Sequence, residues 1–150
     1  MAKYDSNLRK EIVSTPAMVR FIAKEIEGKC VSVFTPEELK GFKNIVISGC
    51  GDSLAAAYAT KEAFEKLTAL HIDTPVCLDL SRHYDVRRFG EKGSTLVILI
   101  SFSGKVSRVV EAAERAKANG AVTMAVTHYK DSPVALACDR ILHVVPDEFD

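Results

Sequence analysis

Two short stretches of this chain combine glycine and serine in a way suited to holding an anion. The first is Ser48-Gly49-Cys50-Gly51-Asp52-Ser53. Its glycines let the backbone turn tightly, and Ser53 can both cap a following helix and offer its hydroxyl to a ligand. The second is Ser101-Phe102-Ser103-Gly104-Lys105-Val106-Ser107. Ser101 and Ser103 are two apart, so in extended backbone their hydroxyls point to one side, and Gly104 permits a turn into a helix whose first N–H groups face the same spot. A phosphate placed there would meet hydroxyls, amides and a helix dipole together. Taken singly, each loop also has a plain reading, a serine that ends a strand or caps a helix. The G-x-G of the first loop is not a dinucleotide fingerprint. It lacks the third glycine, and Asp79 is the one acidic residue near the end of the next expected strand.

Such loops need strands before them and helices behind them, and the pattern predicts both. Residues 45–47 read as a buried strand, and 53–67 as a helix whose Lys61, Glu62, Glu65 and Lys66 form a solvated edge. Residues 75–80 are predicted as the second strand, followed by a polar stretch through Arg88 with room for a short helix. The unbroken aliphatic run 96–100 reads as a strand covered on both faces. Behind it, Val106, Val109, Val110 and Ala113 mark the inner face of a helix ending at Asn119-Gly120. Residues 122–126 and 141–145 are the fourth and fifth strands, with Ser132-Pro133 capping a brief helix between them. Ahead of the first strand, Thr15-Pro16 opens a helix over 15–27 with Val19, Ile22, Ala23 and Ile26 on one face. Thr35-Pro36-Glu37-Glu38 forms a capping box for a short helix ending near Gly41. Repeated β-α units imply a parallel sheet with right-handed crossovers. The expected division is a helical lead-in over 1–43 and an α/β domain over 44–150.

Bulk properties narrow the function. With 150 residues, 47% of them apolar, the chain suits one domain with a filled core. Its formal net charge is zero, with no basic stripe, so neither nucleic acid nor an anionic membrane is an expected partner. Apolar runs fall far below the ~18 residues of a membrane span, and no signal-type leader opens the chain, which predicts a soluble, cytoplasmic protein. Cys30, Cys50, Cys77 and Cys138 are widely spaced without a CxxC pair, so reduced thiols and no metal are expected. No cofactor is expected either.

Gly49-Cys50-Gly51-Asp52-Ser53, Ser101-Phe102-Ser103-Gly104 and Thr127-His128-Tyr129-Lys130-Asp131-Ser132-Pro133 occur in this order at three predicted strand ends. Together they resemble the SIS (sugar isomerase) domain family over residues 44–145. The resemblance implies a three-layer α/β sandwich around a five-stranded parallel sheet of flavodoxin-like order 2-1-3-4-5, usually dimeric. It also implies a phosphosugar ligand, which family members isomerise, deaminate or deglycate, or sense in regulators. Long members carry two such domains, and the amphipathic first helix resembles the lead-in to their first one. The tail 146–150 ends without a closing helix, so the chain reads as part of a longer double-SIS protein.

Carried over by position, the family's phosphate contacts fall on Ser53, Ser101, the Phe102 backbone and Ser103. Its sugar contacts fall on Cys50, Gly51, Asp52, Tyr129 and Asp131. Family members often have threonine where this chain has Asp52, glutamine where it has Phe102, and a hydroxyl residue where it has Val106. Ser107, one place along, is the candidate replacement for that hydroxyl. A carboxylate facing phosphate would repel it, so Asp52 is expected to address sugar hydroxyls or a substrate amine.

Aldose–ketose chemistry needs a base near C1/C2, a ring-opening acid and groups to hold enediolate oxygens. His128, at a strand's carboxyl end, and His83, after the second predicted strand, are the candidates. His71 and His143 are placed peripherally, Lys105 and Lys130 read as solvated, and the catalytic residues remain unassigned. In long members the catalytic Glu, His and Lys lie beyond the first domain or come from a partner subunit, which predicts an incomplete active site here. The expectation is a domain that binds a phosphorylated sugar, such as an amino-sugar or fructosamine phosphate, as part of an isomerase, deaminase or deglycase. The rival is a non-catalytic phosphosugar sensor, although the region before Asn44 lacks a basic recognition helix. A homodimer covering part of the 15–27 apolar stripe is expected.

Overall fold

The aliphatic run read as a doubly covered strand is the centre of the sheet. In the computed structural model, which describes residues 6–145, β3 (Thr95–Ile100) lies between β1 (Asn44–Gly49) and β4 (Val122–Thr127), paired in parallel with both. β2 (His71–Asp73) and β5 (Arg140–His143) form the edges, giving the order β2-β1-β3-β4-β5. This is the predicted order, and the sheet is wholly parallel.

Strand alternation sends successive side chains to opposite faces, and both faces are apolar. Val46, Val97, Leu99 and Ala125 pack on one side with Val109, Ala112, Ala113 and Ala116 of α5 (Ser107–Ala118) and Cys77 and Leu80 of α4 (Cys77–Arg82). Ile45, Ile47, Leu96, Ile98 and Met124 pack on the other with Ala57 of α3 (Asp52–Thr68) and with Phe34 and Phe42, which flank α2 (Pro36–Gly41). The capping box at α2 forms as the sequence predicts: Glu38 N–H donates to Thr35 Oγ1, and Thr35 N–H donates to Glu38 Oε2. Gly120 takes the left-handed conformation after α5, with φ +86°.

Two elements differ from the sequence reading. The second strand is His71–Asp73, and residues 77–82, which overlap the predicted 75–80 strand, are helical. Cys77, Leu80 and Ser81 are buried at i, i+3 and i+4 while Leu78 is exposed, which is helical spacing. Arg115 fixes the end of this helix by donating to the carbonyls of Leu80 and Tyr84, both at 2.8 Å. Asp79 therefore sits on a helix, not at a strand end. The first helix, α1 (Asn7–Val33), starts nine residues before Pro16 and not at Thr15. Ser6 caps it, accepting from Arg9 N–H, and the Thr15 hydroxyl bonds back to the Glu11 carbonyl at 2.7 Å instead of capping. Pro16 stands inside the helix, where the missing donor falls on an exposed turn. No residue of α1 is buried. The predicted tail 146–150 lies outside the described residues.

Candidate phosphosugar cleft

In a parallel sheet the loops beyond the strands' carboxyl ends form the natural site, and adjacent strands bring their loops together. β1 and β3 are paired along their whole length, up to Gly49 opposite Ile100. The loop from β1 into α3 and the loop from β3 toward α5 thus share one edge.

Each loop is shaped by a glycine. A Cβ on Gly49 would lie 2.7 Å from Ser53 Cβ and 3.0 Å from the Ile100 carbonyl oxygen, so only glycine lets α3 start this close to the sheet. Gly104 has φ +63°, and a Cβ there would run into the Ser132 side chain. That contact and the bond from Val134 N–H to the Gly104 carbonyl at 3.0 Å tie the β3 loop to the start of α6 (Pro133–Ala137). The same loop is fastened to β4 at 3.1 Å by His128 N–H and by the Thr127 hydroxyl, both donating to the Phe102 carbonyl.

Between the loops lies a cleft of about 330 Å³, lined by Cys50, Asp52 and Ser53 from one side and by Ile100, Ser101, Phe102, Ser103 and Val106 from the other. Ser101 is only 3% exposed, and its Oγ is the one buried side-chain oxygen or nitrogen among the described residues without a hydrogen-bond partner. Such an orphan costs about 1–3 kcal/mol of desolvation unless something satisfies it. Ser103 Oγ accepts from Lys105 N–H at 3.4 Å. The Phe102 and Ser103 amides have no partner among the described residues.

The helix starts add to this. α1, α2 and α6 are capped by the side chains of Ser6, Thr35 and Ser132, whereas α3 and α5 begin at Gly51 and Val106 with no side-chain cap. The Ser53 N–H donates to the Cys50 carbonyl at 3.3 Å, while the Asp52, Ser107 and Arg108 N–H groups and the positive dipole ends are left for a ligand or water. Ser53, read from sequence as a cap, is instead the second residue of α3, because Gly51 at φ +58° takes the cap position.

The remaining sequence candidates separate. Gly51 forms the turn between Cys50 and Asp52, and Ser107 is exposed in the first turn of α5 without lining the cleft. Tyr129 and Asp131 are exposed on the loop after β4 and do not line it either. Tyr129 does stand edge-on to Phe102 and His128, with ring centroids 6.5 and 4.4 Å away. His128 stacks on Phe102 at 5.1 Å, and its Nδ1 lies 2.9 Å from the Val144 carbonyl, which can only accept, so Nδ1 carries a proton. His83 is exposed at the end of α4, beside the last turn of α5, and the cleft lies at that helix's opposite end. Sequence reasoning missed Gly49 as a packing requirement and Val144 as a neighbour of the site. The short Gly49–Ser53 spacing was the available signal for the former; nothing local marks the latter.

Among the described residues Asp52 is the one carboxylate lining the cleft, and Cys50 is the one thiol. Behind Cys50, Cys77 Sγ lies 3.2 Å from Ser48 Oγ, and burial pushes its thiol up to about 12. Among the described residues no three His, Cys, Asp or Glu side chains come together as metal ligands would, and no helix is long and apolar enough to cross a membrane.

A family model described as the SIS domain matches residues 38–149. The chain belongs to the SIS domain family. Among curated relatives, the glutamine–fructose-6-phosphate aminotransferase (isomerizing) of Bradyrhizobium diazoefficiens is 29% identical over 146 residues, covering 94% of this chain and 23% of that protein. The Chlamydia pneumoniae enzyme of the same name is 31% identical over 144 residues, covering 93% of this chain and 23% of its own length. This SIS chain thus spans under a quarter of the length of these relatives. Among solved structures, the C-terminal domain of glucosamine-fructose-6-phosphate aminotransferase from Francisella tularensis superposes with TM-score 0.77 at 19% identity, over 96% of this chain and 41% of that one. Tagatose-6-phosphate ketose/aldose isomerase from Escherichia coli does so with TM-score 0.77 at 16% identity, over 98% and 42%. At such identities the likeness establishes the fold.

Proposed function

We propose that this SIS domain binds a phosphorylated sugar, with the phosphate seated between the β1 and β3 loops. The observation that carries this reading is the buried, unpartnered Ser101 Oγ beneath a cleft onto which two uncapped helix starts open. A phosphate oxygen is the partner that hydroxyl lacks, and the Phe102 and Ser103 amides would donate to the same group. Ser53 and Ser103 complete the cradle, and Asp52 and Cys50 face the sugar.

In this reading residues 1–43 are a lead-in and 44–150 the binding domain, one portion of a longer cytoplasmic protein that isomerises, deaminates or deglycates its sugar. The apolar face of α1, with Leu8, Ile12 and Val19 exposed, is the surface through which two copies pair. The chain alone binds without turnover, because among the described residues Asp52 is the one carboxylate in the cleft and neither His83 nor His128 lines it. The test is a thermal-shift screen of hexose and hexosamine phosphates against their dephosphorylated forms. Stabilisation by the phosphates alone is expected. Equal stabilisation by the unphosphorylated sugars would end the reading.

A further inference from the structure

The cleft does not stop at Phe102. This residue, 53% exposed, stands between the polar cleft and a second lobe of about 160 Å³ that shares Ser53, Ile100 and Phe102 with it and runs on to Val126 and Val144. Of the polar residues bordering this lobe, Ser53 is shared with the polar cleft and the other two are engaged elsewhere. The Thr127 hydroxyl donates to the Phe102 carbonyl at 3.1 Å, and His128 Nδ1 donates to the Val144 carbonyl at 2.9 Å. Beyond Ser53 at the junction, what faces the space is aliphatic carbon and the rings of Phe102 and His128. The Phe102 ring is held by its stack on His128, with planes 7° apart, so the wall is stiff.

A sugar ring presents hydroxyls and gains nothing from such a surface, whereas a hydrocarbon group gains in proportion to its buried area. An apolar cavity of about 150 Å³ holds a benzene ring. A lobe of this size, open at its mouth, therefore accommodates a chain of about two to four carbons. We propose that the phosphosugar taken by this site carries a short apolar substituent, which enters the lobe behind Phe102 while the phosphate rests on the serine loops. This rests on the phosphosugar reading above and adds the class of sugar.

The test is a calorimetric series of N-formyl, N-acetyl and N-butanoyl hexosamine 6-phosphates, identical in charge and differing only in carbon, with inorganic phosphate as the reference ligand. A fully buried methylene is worth about fourfold in affinity, and in a lobe open on one side roughly twofold. From formyl to butanoyl the gain is then about eightfold. Val144→Phe, which fills the lobe from just beyond β5, should flatten the series and leave inorganic phosphate binding unchanged. A flat series in the wild type, with every member displacing phosphate, overturns the substituent and leaves the phosphosugar site standing. So does a rise that survives Val144→Phe. Binding of none of the sugars and no phosphate overturns both. Should Val144→Phe fail to fold, the wild-type series decides alone.

Discussion

Replacing Ser101 with alanine should move stability and affinity in opposite directions. In the ligand-free protein Ser101 Oγ is buried and unpartnered, so it contributes a desolvation cost without a compensating bond. Ser101→Ala removes one oxygen, leaves the Cβ, and should raise unfolding free energy by about 1–2 kcal/mol. For a domain this size each kcal/mol corresponds to roughly 2–4 °C in melting temperature. With phosphate bound, the same hydroxyl makes a charge-assisted bond worth about 1.5–3 kcal/mol, so affinity should fall between roughly ten- and a hundredfold. Urea titration of the free protein gives the first quantity, provided the slope is the same in both proteins. Calorimetric titration of a sugar phosphate gives the second. An ordinary structural serine gives a destabilised variant with unchanged affinity, and that result refutes the reasoning. Unchanged values on both axes refute it equally.

Gly104→Val should lower the melting temperature by several degrees or prevent folding, because its Cβ meets Ser132 at a positive φ; a thermal melt decides it. Ser132→Ala should cost about 1 kcal/mol of stability as a true cap, whereas Ser53→Ala should leave urea stability nearly unchanged while weakening sugar phosphate binding. Iodoacetamide at mildly alkaline pH should label the exposed Cys30 and Cys50 and spare the buried Cys77 and Cys138, with sugar phosphate protecting Cys50 alone, as read by peptide mass mapping. Burial raises the Cys77 thiol from 9.0 to about 12, so between these values the unfolded chain sheds a proton that the folded one keeps. The stability Cys77 contributes below pH 9 should thus be lost as pH climbs toward 12, and Cys77→Ala should flatten that part of the urea midpoint against pH.

The sequence by itself determined the periodic elements and their order. Aliphatic runs such as Thr95–Ile100, the capping box at Thr35 and Glu38 and the glycine after α5 are local signals, set by burial on two faces, by neighbouring side chains and by backbone freedom. The two serine loops were legible for the same reason, since each is a contiguous stretch at a strand end. Residues 75–80 carry no decisive local signal, because Val76-Cys77-Leu78-Asp79-Leu80 fits alternation as well as helical spacing. Arg115, thirty-five residues beyond Leu80, holds the helix by bonding to its carbonyls. Serine before an apolar run is the usual signal of a cap, yet at Ser53 the chain has already turned at Gly51, which holds the cap position. What only the tertiary structure decided is how the loops meet. That Gly49 must admit Ser53, that Gly104 must admit Ser132, and that Ser101 Oγ is left without a partner depend on distances between segments far apart in the chain. No local pattern records such distances, and they turn two common loops into a cleft with an unanswered hydroxyl at its base.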